Sequence, residues 1–168
     1  MPKIIENLQE KLIAEAKRQI EEGGYTAMTI RSVASGCGVG VGTVYNYFES
    51  KEELAAVYLL QDWNTCIAAI ESVSAEAAEP RAVVRCICSQ LDSYADRHDM
   101  LFRDASAAAA FAGSFSRYHT LLRAQLAGPL RRFCESDFAA EFIAESLLTW
   151  TMAGTPFDDL WAMLEKLL

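Results

Sequence analysis

Several side chains between positions 43 and 51 could bind a polyanion. Thr43, Tyr45 and Tyr47 carry hydroxyl groups that can hydrogen-bond phosphate oxygens, and Lys51 adds a positive charge. The side-chain amide of Asn46 can both donate to and accept from the edge of an adenine. Such residues bind a duplex only if the surrounding elements hold them on one surface, so the flanking sequence decides whether they form a site.

The flanking residues predict two short helices joined by a glycine turn. Thr29 is placed to cap the first helix, and the two glycines at 36 and 38 end it. The second helix is predicted over 41–48, with Val44 and Phe48 turned inward. This arrangement is the helix-turn-helix, which places its second helix in the major groove of DNA.

The motifs in this segment resemble those of the N-terminal domain of the TetR/AcrR family of bacterial transcriptional regulators. The matching residues are Gly24-Tyr25, Thr29, Val33-Ala34, Gly38-Val39, Gly42-Thr43, Val44-Tyr45-Asn46-Tyr47-Phe48 and Ser50-Lys51-Glu52-Glu53-Leu54. The resemblance covers the first third of the chain. It implies an all-α protein with a three-helix DNA-binding domain (1–51), fused through a long helix to a helical effector-binding and dimerisation domain (52–168).

The resemblance also implies which residues contact DNA. The expected contacts are Arg31, Val41, Gly42, Thr43, Tyr45, Asn46, Tyr47 and Lys51. The family commonly has Ser or Thr where this chain has Gly40, so we expect the recognition helix to lack a side-chain N-cap. Such a loss costs only a few tenths of a kcal/mol, roughly, when glycine is the replacement.

The net charge of −8 is unevenly distributed along the chain. Residues 1–51 hold six basic and six acidic side chains and are neutral. Residues 52–168 hold the remaining nine basic and seventeen acidic side chains and carry the whole net charge. We therefore expect weak, salt-sensitive non-specific binding to DNA.

Apolar periodicity predicts helices along the rest of the chain. The predicted helices cover 4–22, 50 to at least 70, 80 onwards, 99–110, 114–135, 137–153, and a last helix capped by Thr155. Ser50 and Glu53 form a capping box at the start of the fourth helix. Gly128-Pro129 should kink or interrupt the helix over 114–135.

The last two helices carry more apolar residues than one face can bury. In the family this pair usually forms a four-helix bundle with a second copy, which implies a homodimer. The expected interface residues are Phe138, Phe142, Leu147, Trp150, Phe157 and Trp161. The alternative is that these helices only close the core of the monomer.

The apolar body between these regions is the expected site of a small effector. Its composition suggests a lipophilic or aromatic effector, and the resemblance implies that such an effector releases a repressor from its operator. The candidate residues are Trp63, Cys66, Ile67, Tyr94, Phe102, Phe115, Tyr118, His119 and Leu122. No cofactor is expected.

No catalytic pattern or metal-ligand spacing stands out, so we do not expect an enzyme or a metal site. Cys86 and Cys88 point about 200° apart on a helix and cannot both face one metal ion. Two alternatives stay open: a redox-sensing regulator using Cys66, Cys86, Cys88 or Cys134, and an interaction module without specific DNA binding. The longest uncharged run, residues 32–48, contains four glycines and does not suit a membrane span, so we expect a cytoplasmic protein.

Overall fold

A computed structural model describes residues 7–168, except the side chain of Phe115. Every regular element among the described residues is helical. The α-helices are α1 (Leu8–Ala27), α2 (Ile30–Gly36), α3 (Val41–Tyr45), α4 (Lys51–Glu76), α5 (Pro80–Arg97), α6 (Asp99–Phe102), α7 (Ala105–Phe111), α8 (Phe115–Leu130), α9 (Asp137–Met152) and α10 (Phe157–Leu164), and Arg131–Phe133 form a 3₁₀ helix. The all-α prediction is confirmed.

These helices pack as two compact units. The N-terminal unit contains residues 7–62 and 98–112, and the C-terminal unit contains residues 63–97 and 113–168. Helix α4 supplies residues to both units, as the sequence predicts for a helix that continues beyond the DNA-binding segment. The predicted domain boundary between residues 51 and 52 is a statement about function and stays a prediction.

The core of the N-terminal unit forms around α1. Leu12, Ala16 and Ile20 recur at helical spacing on α1 and are fully or almost fully buried. They pack with Val44 and Phe48 of the α3 region, among other residues of one apolar cluster. Because α2 and α3 are only 7 and 5 residues long, they depend on this burial for their stability.

Residues 98–112 belong to the N-terminal unit although the sequence places them far from α1. Leu101 of α6 and Ala107 of α7 are buried in the same apolar cluster as α1. The Asp104 carboxylate accepts hydrogen bonds from the backbone N–H groups of Ser106 and Ala107 and thereby caps α7. The same carboxylate accepts the backbone N–H and the hydroxyl of Thr26, at 3.2 and 3.1 Å.

The C-terminal unit is a bundle of the second part of α4 with α5, α8, α9 and α10. Trp63 of α4 and Tyr94 of α5 are buried and meet edge to face, with ring centroids 5.5 Å apart. The indole N–H of Trp63 donates to the side-chain oxygen of Gln125 on α8 at 2.8 Å. The Ser74 hydroxyl donates to the carbonyl of Pro129, which ties α4 to the end of α8.

Three helix ends differ from the sequence prediction. The recognition helix ends at Tyr45 rather than at residue 48, because the N–H groups of Tyr47 and Phe48 both bond to the carbonyl of Val44 and tighten the last turn. The helix predicted over 99–110 is two helices, because Asp104 adopts an extended backbone and caps the second. Thr155 does not cap α10, because Pro156 occupies the N-cap position and no side chain caps that helix.

Two other helices were predicted with partial success. Helix α1 loses helical geometry at Gly24 (φ 80°), as the glycine pair predicts, although one more turn follows to Ala27. The predicted start of this helix at residues 4–6 lies outside the described residues. Helix α8 runs through Pro129 to Leu130, so the proline lies near the helix end instead of interrupting it. Within residues 7–168, no helix combines the length and the apolar character that crossing a membrane requires.

Candidate nucleic-acid interface

Helix α2 is held by a reciprocal cap. The Thr29 hydroxyl accepts the backbone N–H of Ser32, and the Ser32 hydroxyl accepts the backbone N–H of Thr29. The Ser32 hydroxyl also donates to the side chain of Gln19 on α1. These bonds satisfy two of the free N–H groups at the start of α2 and link that helix to α1.

The turn after α2 depends on two glycines. Gly38 has a positive φ of 66°, which favours glycine over residues with a Cβ atom. At Gly36 a Cβ atom would collide with the Glu15 side chain of α1, so the glycine permits close contact between α1 and the end of α2. Hydrogen bonds from Arg18, and then from Gln19, lower the pKa of Glu15 to about 2 and keep its carboxylate charged.

Helix α3 buries one side and exposes the other. Val44 and, just after the helix, Phe48 are buried, while Val41, Tyr45, Asn46 and Tyr47 are exposed. Tyr45 has 53% of its surface accessible, which places its ring outside the core. Gly42 is exposed and has no atom within 4 Å of a Cβ position, so this part of α3 can approach another surface closely.

The start of α4 adds a positive charge to the same unit. The Ser50 hydroxyl accepts the backbone N–H of Glu53, which is one half of the predicted capping box; the other half, from the Ser50 N–H to Glu53, is replaced. The Glu53 carboxylate accepts the N–H of Glu49, one residue before the N-cap. Lys51 is half-buried, and its Nζ lies 4.0 Å from the centroid of the Tyr25 ring. Burial lowers the pKa of Lys51 from its ordinary value.

All eight residues predicted to contact DNA lie in the N-terminal unit. Arg31 is exposed on α2, and Lys51 begins α4. The other six lie on or directly after α3, where five are exposed and Thr43 is half-buried. The predicted absence of a side-chain cap at Gly40 is confirmed. From the sequence, Tyr25 has no role beyond its place in the Gly24-Tyr25 motif. That motif is the only sequence signal that could have indicated its contacts.

The residues predicted to bind an effector divide between the units. Trp63, Cys66, Ile67 and Tyr94 are buried in the C-terminal unit, where Tyr118, His119 and Leu122 are half-buried. Phe102 lies in the N-terminal unit, where its ring packs on His98. The side chain of Phe115 lies outside the described part of the structure. The Arg97 guanidinium donates to the Cys66 sulfur at 3.3 Å, a contact that the sequence did not reveal.

The residues predicted to form a dimer interface are not equally available. Phe138, Phe142 and Trp150 of α9 are exposed, with Phe138 77% accessible. Leu147 is fully buried inside the C-terminal unit, so its assignment to the interface is wrong: it faces the core of its own chain. Sequence periodicity did not resolve which apolar face of α9 turns inward.

Phe157 and Trp161 of α10 are partly covered within the chain. Their rings stack with centroids 6.2 Å apart, and the Arg85 guanidinium of α5 lies 4.0 Å from the Phe157 ring. Arg81 also lies near both rings and pairs with Asp158 at 3.7 Å. These contacts tie α10 to α5, so the two rings have a role in the monomer.

The cysteines of the described chain are all free thiols. Burial raises the pKa of Cys37, Cys86, Cys88 and Cys134, which favours the less reactive protonated form. Within residues 7–168, no three His, Cys, Asp or Glu side chains are grouped so that they could hold a metal ion.

Residues 12–58 match the family model described as bacterial regulatory proteins, tetR family. The HTH-type transcriptional repressor KstR of Mycobacterium tuberculosis is 32% identical over 108 residues, which cover 58% of this chain and 49% of the repressor. The match thus spans about half the length of that curated relative.

Solved regulators have the same fold at low sequence identity. The TetR family repressor AlkX of Dietzia sp. aligns with a TM-score of 0.66 and 16% identity, covering 94% of this chain and 98% of AlkX. The regulator FadR of Bacillus subtilis, solved in complex with stearoyl-CoA, aligns with a TM-score of 0.54 and 19% identity, covering 94% of each chain. Residues 12–58 of this chain are thus similar to the helix-turn-helix segment of the tetR family of bacterial regulatory proteins, and the chain shares the fold of solved regulators.

Proposed function

We propose that this protein is a sequence-specific, dimeric DNA-binding regulator that responds to a small lipophilic effector. The observation that carries the proposal is the two-sided character of α3. Val44 and Phe48 anchor it in the core, whereas Val41, Tyr45, Asn46 and Tyr47 remain accessible. A short helix held in this way by a preceding helix and a glycine turn can enter a major groove.

The exposed groups divide into base-reading and phosphate-binding residues. The Asn46 amide suits a bidentate contact with adenine, and Val41 and the Thr43 methyl group suit the methyl group of thymine. The hydroxyls of Thr43 and Tyr47 suit phosphate oxygens. Lys51, beside the start of α4, adds charge, and Arg31 can reach phosphate or a base edge.

The direct test is selection of binding sequences from a random duplex library at two salt concentrations. We expect an enriched, twofold-symmetric site. Lys51→Ala should weaken binding to every duplex and reduce the salt slope by about 0.9 for one lost phosphate contact. Asn46→Ala should weaken binding chiefly where one particular base is present. If no sequence is enriched at low salt, the N-terminal unit does not recognise a specific DNA sequence. An interaction module then becomes the better description.

The exposed aromatic residues of α9 support the dimer. Phe138, Phe142 and Trp150 lie on one helix, and the rings of Phe138 and Phe142 are 6.5 Å apart. Adjacent exposed rings of this size are typical of a surface that another protein covers. A twofold dimer would present two α3 helices to half-sites about 34–36 Å apart, or a multiple of that distance.

The C-terminal unit is the proposed effector-binding part. Its candidate residues are Trp63, Cys66, Ile67, Tyr94, Tyr118, His119 and Leu122. Binding of stearoyl-CoA by FadR, with the same fold, supports a lipophilic effector here. Suppose that these helices have two arrangements and that only one of them suits DNA binding. An effector that binds one arrangement more tightly than the other would change the affinity for DNA by at most the ratio of its two affinities.

The effector proposal is tested with the enriched duplex. Stearoyl-CoA is added to the complex, and coenzyme A without the acyl chain serves as the matched control. Release by the acyl form alone would support a lipophilic effector and repression relieved by ligand. If both compounds release the duplex equally, or if neither releases it, this class of effector is rejected. The proposal of DNA binding would still stand.

A further inference from the structure

The break in α1 turns Tyr25 towards the start of α4. Gly24, with a φ of 80°, interrupts the helix, and the Tyr25 side chain that follows is only 2% exposed. The Tyr25 hydroxyl donates to the Glu52 carboxylate at 3.2 Å. The Phe111 ring of α7 packs against the Tyr25 ring, with centroids 6.0 Å apart. Tyr25 is therefore fixed at both its ring and its hydroxyl group.

The fixed ring of Tyr25 holds the ammonium group of Lys51. Nζ of Lys51 lies 4.0 Å from the ring centroid, well within the distance over which an aromatic face attracts a cation. Lysine has a flexible stem of four carbons, and ordering that stem on binding opposes complex formation. A ring that already holds the ammonium group reduces this entropy loss. The ammonium group has three donors, so a phosphate oxygen can bind beside the ring.

We propose that Tyr25 is a positioning residue for DNA binding: its ring holds the Lys51 ammonium group at the start of α4, ready for a backbone phosphate. This inference rests on the proposed function, because it takes Lys51 as a phosphate contact. It adds a residue that does not itself touch DNA. Because the Phe111 ring in turn packs against the Tyr25 ring, α7 acts on the phosphate contact through that ring.

The competing explanation is that Tyr25 only fills the core, and a double-mutant cycle separates the two. Affinities for the enriched duplex are measured by fluorescence anisotropy for the wild type, Tyr25→Leu, Lys51→Ala and the double variant, with thermal unfolding as the check on folding. We expect Tyr25→Leu to weaken binding by about two- to tenfold when Lys51 is present, the cost of ordering one flexible side chain on binding. The same change should have no effect in the Lys51→Ala background.

Tyr25→Phe is the conservative variant. It retains the ring and removes the hydroxyl group, so it should bind the duplex as the wild type does. Equal weakening by Tyr25→Leu in both Lys51 backgrounds would overturn the proposal, because it indicates a purely structural role. A Tyr25→Phe variant as weak as Tyr25→Leu would also overturn it, because the ring would then not be the important group.

A measurement on the wild-type chain covers the case in which Tyr25→Leu does not fold. The ε-methylene group of Lys51 is bonded to the Nζ that lies 4.0 Å from the Tyr25 ring centroid, so its protons should show an upfield ring-current shift by NMR. A Lys51 shift typical of an exposed lysine would overturn the proposal. If the wild type enriches no duplex, the proposed function fails and this inference fails with it. If the wild type binds but the cycle shows no coupling, only this inference fails.

Discussion

The buried side chains of Tyr58 and His98 lie 2.9 Å apart, from the phenol oxygen to Nδ1, although they are 40 positions apart in the chain. The other ring nitrogen of His98 lies 3.1 Å from the Asp62 carboxylate, and the Tyr58 and His98 rings meet edge to face. His98 thus joins the segment 98–112 to α4 within the N-terminal unit.

Replacing His98 by alanine should destabilise the N-terminal unit by about 3 kcal/mol, because the change leaves a cavity and removes hydrogen bonds from buried polar groups. Urea unfolding followed by circular dichroism would measure the loss. Met100→Ala, at an exposed position on α6, is the matched control and should change stability by less than about 0.5 kcal/mol. Equal stabilities of the two variants would contradict a structural role for His98.

Alanine at two exposed glycines should have opposite effects on stability. Gly38 has a positive φ, so Gly38→Ala should cost about 1–2 kcal/mol although no atom blocks the new methyl group. Gly42→Ala should stabilise α3 by about 0.5 kcal/mol, because Gly42 is helical and faces open space. If α3 approaches DNA closely there, the same Gly42 variant should bind the selected duplex more weakly. A Gly42→Ala variant with unchanged affinity would place that part of α3 away from the groove.

The acid limb of the stability curve should depend on Glu15. Its pKa in the folded protein is about 2 against an ordinary value of 4.5, owing first to the hydrogen bond with Arg18. The charged form is the stabilising one, so the contribution is complete above about pH 4.5 and is lost as the pH falls towards about 2. The urea concentration at the unfolding midpoint should therefore fall less steeply with decreasing pH in Glu15→Gln than in the wild type. Glu10→Gln, at an exposed position of the same helix, is the control and should leave the curve unchanged.

The α9 surface should control the oligomeric state. Phe142→Glu places a charge among the exposed aromatic residues and should convert a dimer into a monomer, as measured by sedimentation equilibrium. Leu121→Glu changes an exposed leucine on α8 and should leave the dimer intact. A dimer that withstands Phe142→Glu but not Leu121→Glu would move the interface to α8.

We expect peroxide to leave DNA binding unchanged, a result that would argue against the thiol-based alternative. Burial raises the pKa of Cys86, Cys88 and Cys134, so few thiolates are present at neutral pH. The affinity for the selected duplex is compared before and after peroxide in the wild type and in a Cys66→Ser variant. A loss of affinity in the wild type that the Cys66→Ser variant does not show would support a redox sensor.

The sequence predicted the features of the interface that arise from neighbouring residues. The Thr29 cap, the glycine turn and the inward-facing Val44 follow from residues close together in the chain, because caps and helical periodicity act over one or two turns. The motif from Gly24 to Leu54 predicted the similarity to the TetR family for the same reason: the residues that shape the helix-turn-helix lie within some thirty positions.

Tertiary packing decided what periodicity leaves open. Phe142 and Leu147 are both apolar residues of α9, yet one is exposed and the other buried, because the neighbouring helices determine which face meets the core. The contact of Asp104 with Thr26 joins residues 78 positions apart, and no local signal predicts such a partner. The same holds for Lys51, whose charge is evident in the sequence but whose place over the Tyr25 ring depends on how α1 packs against α4.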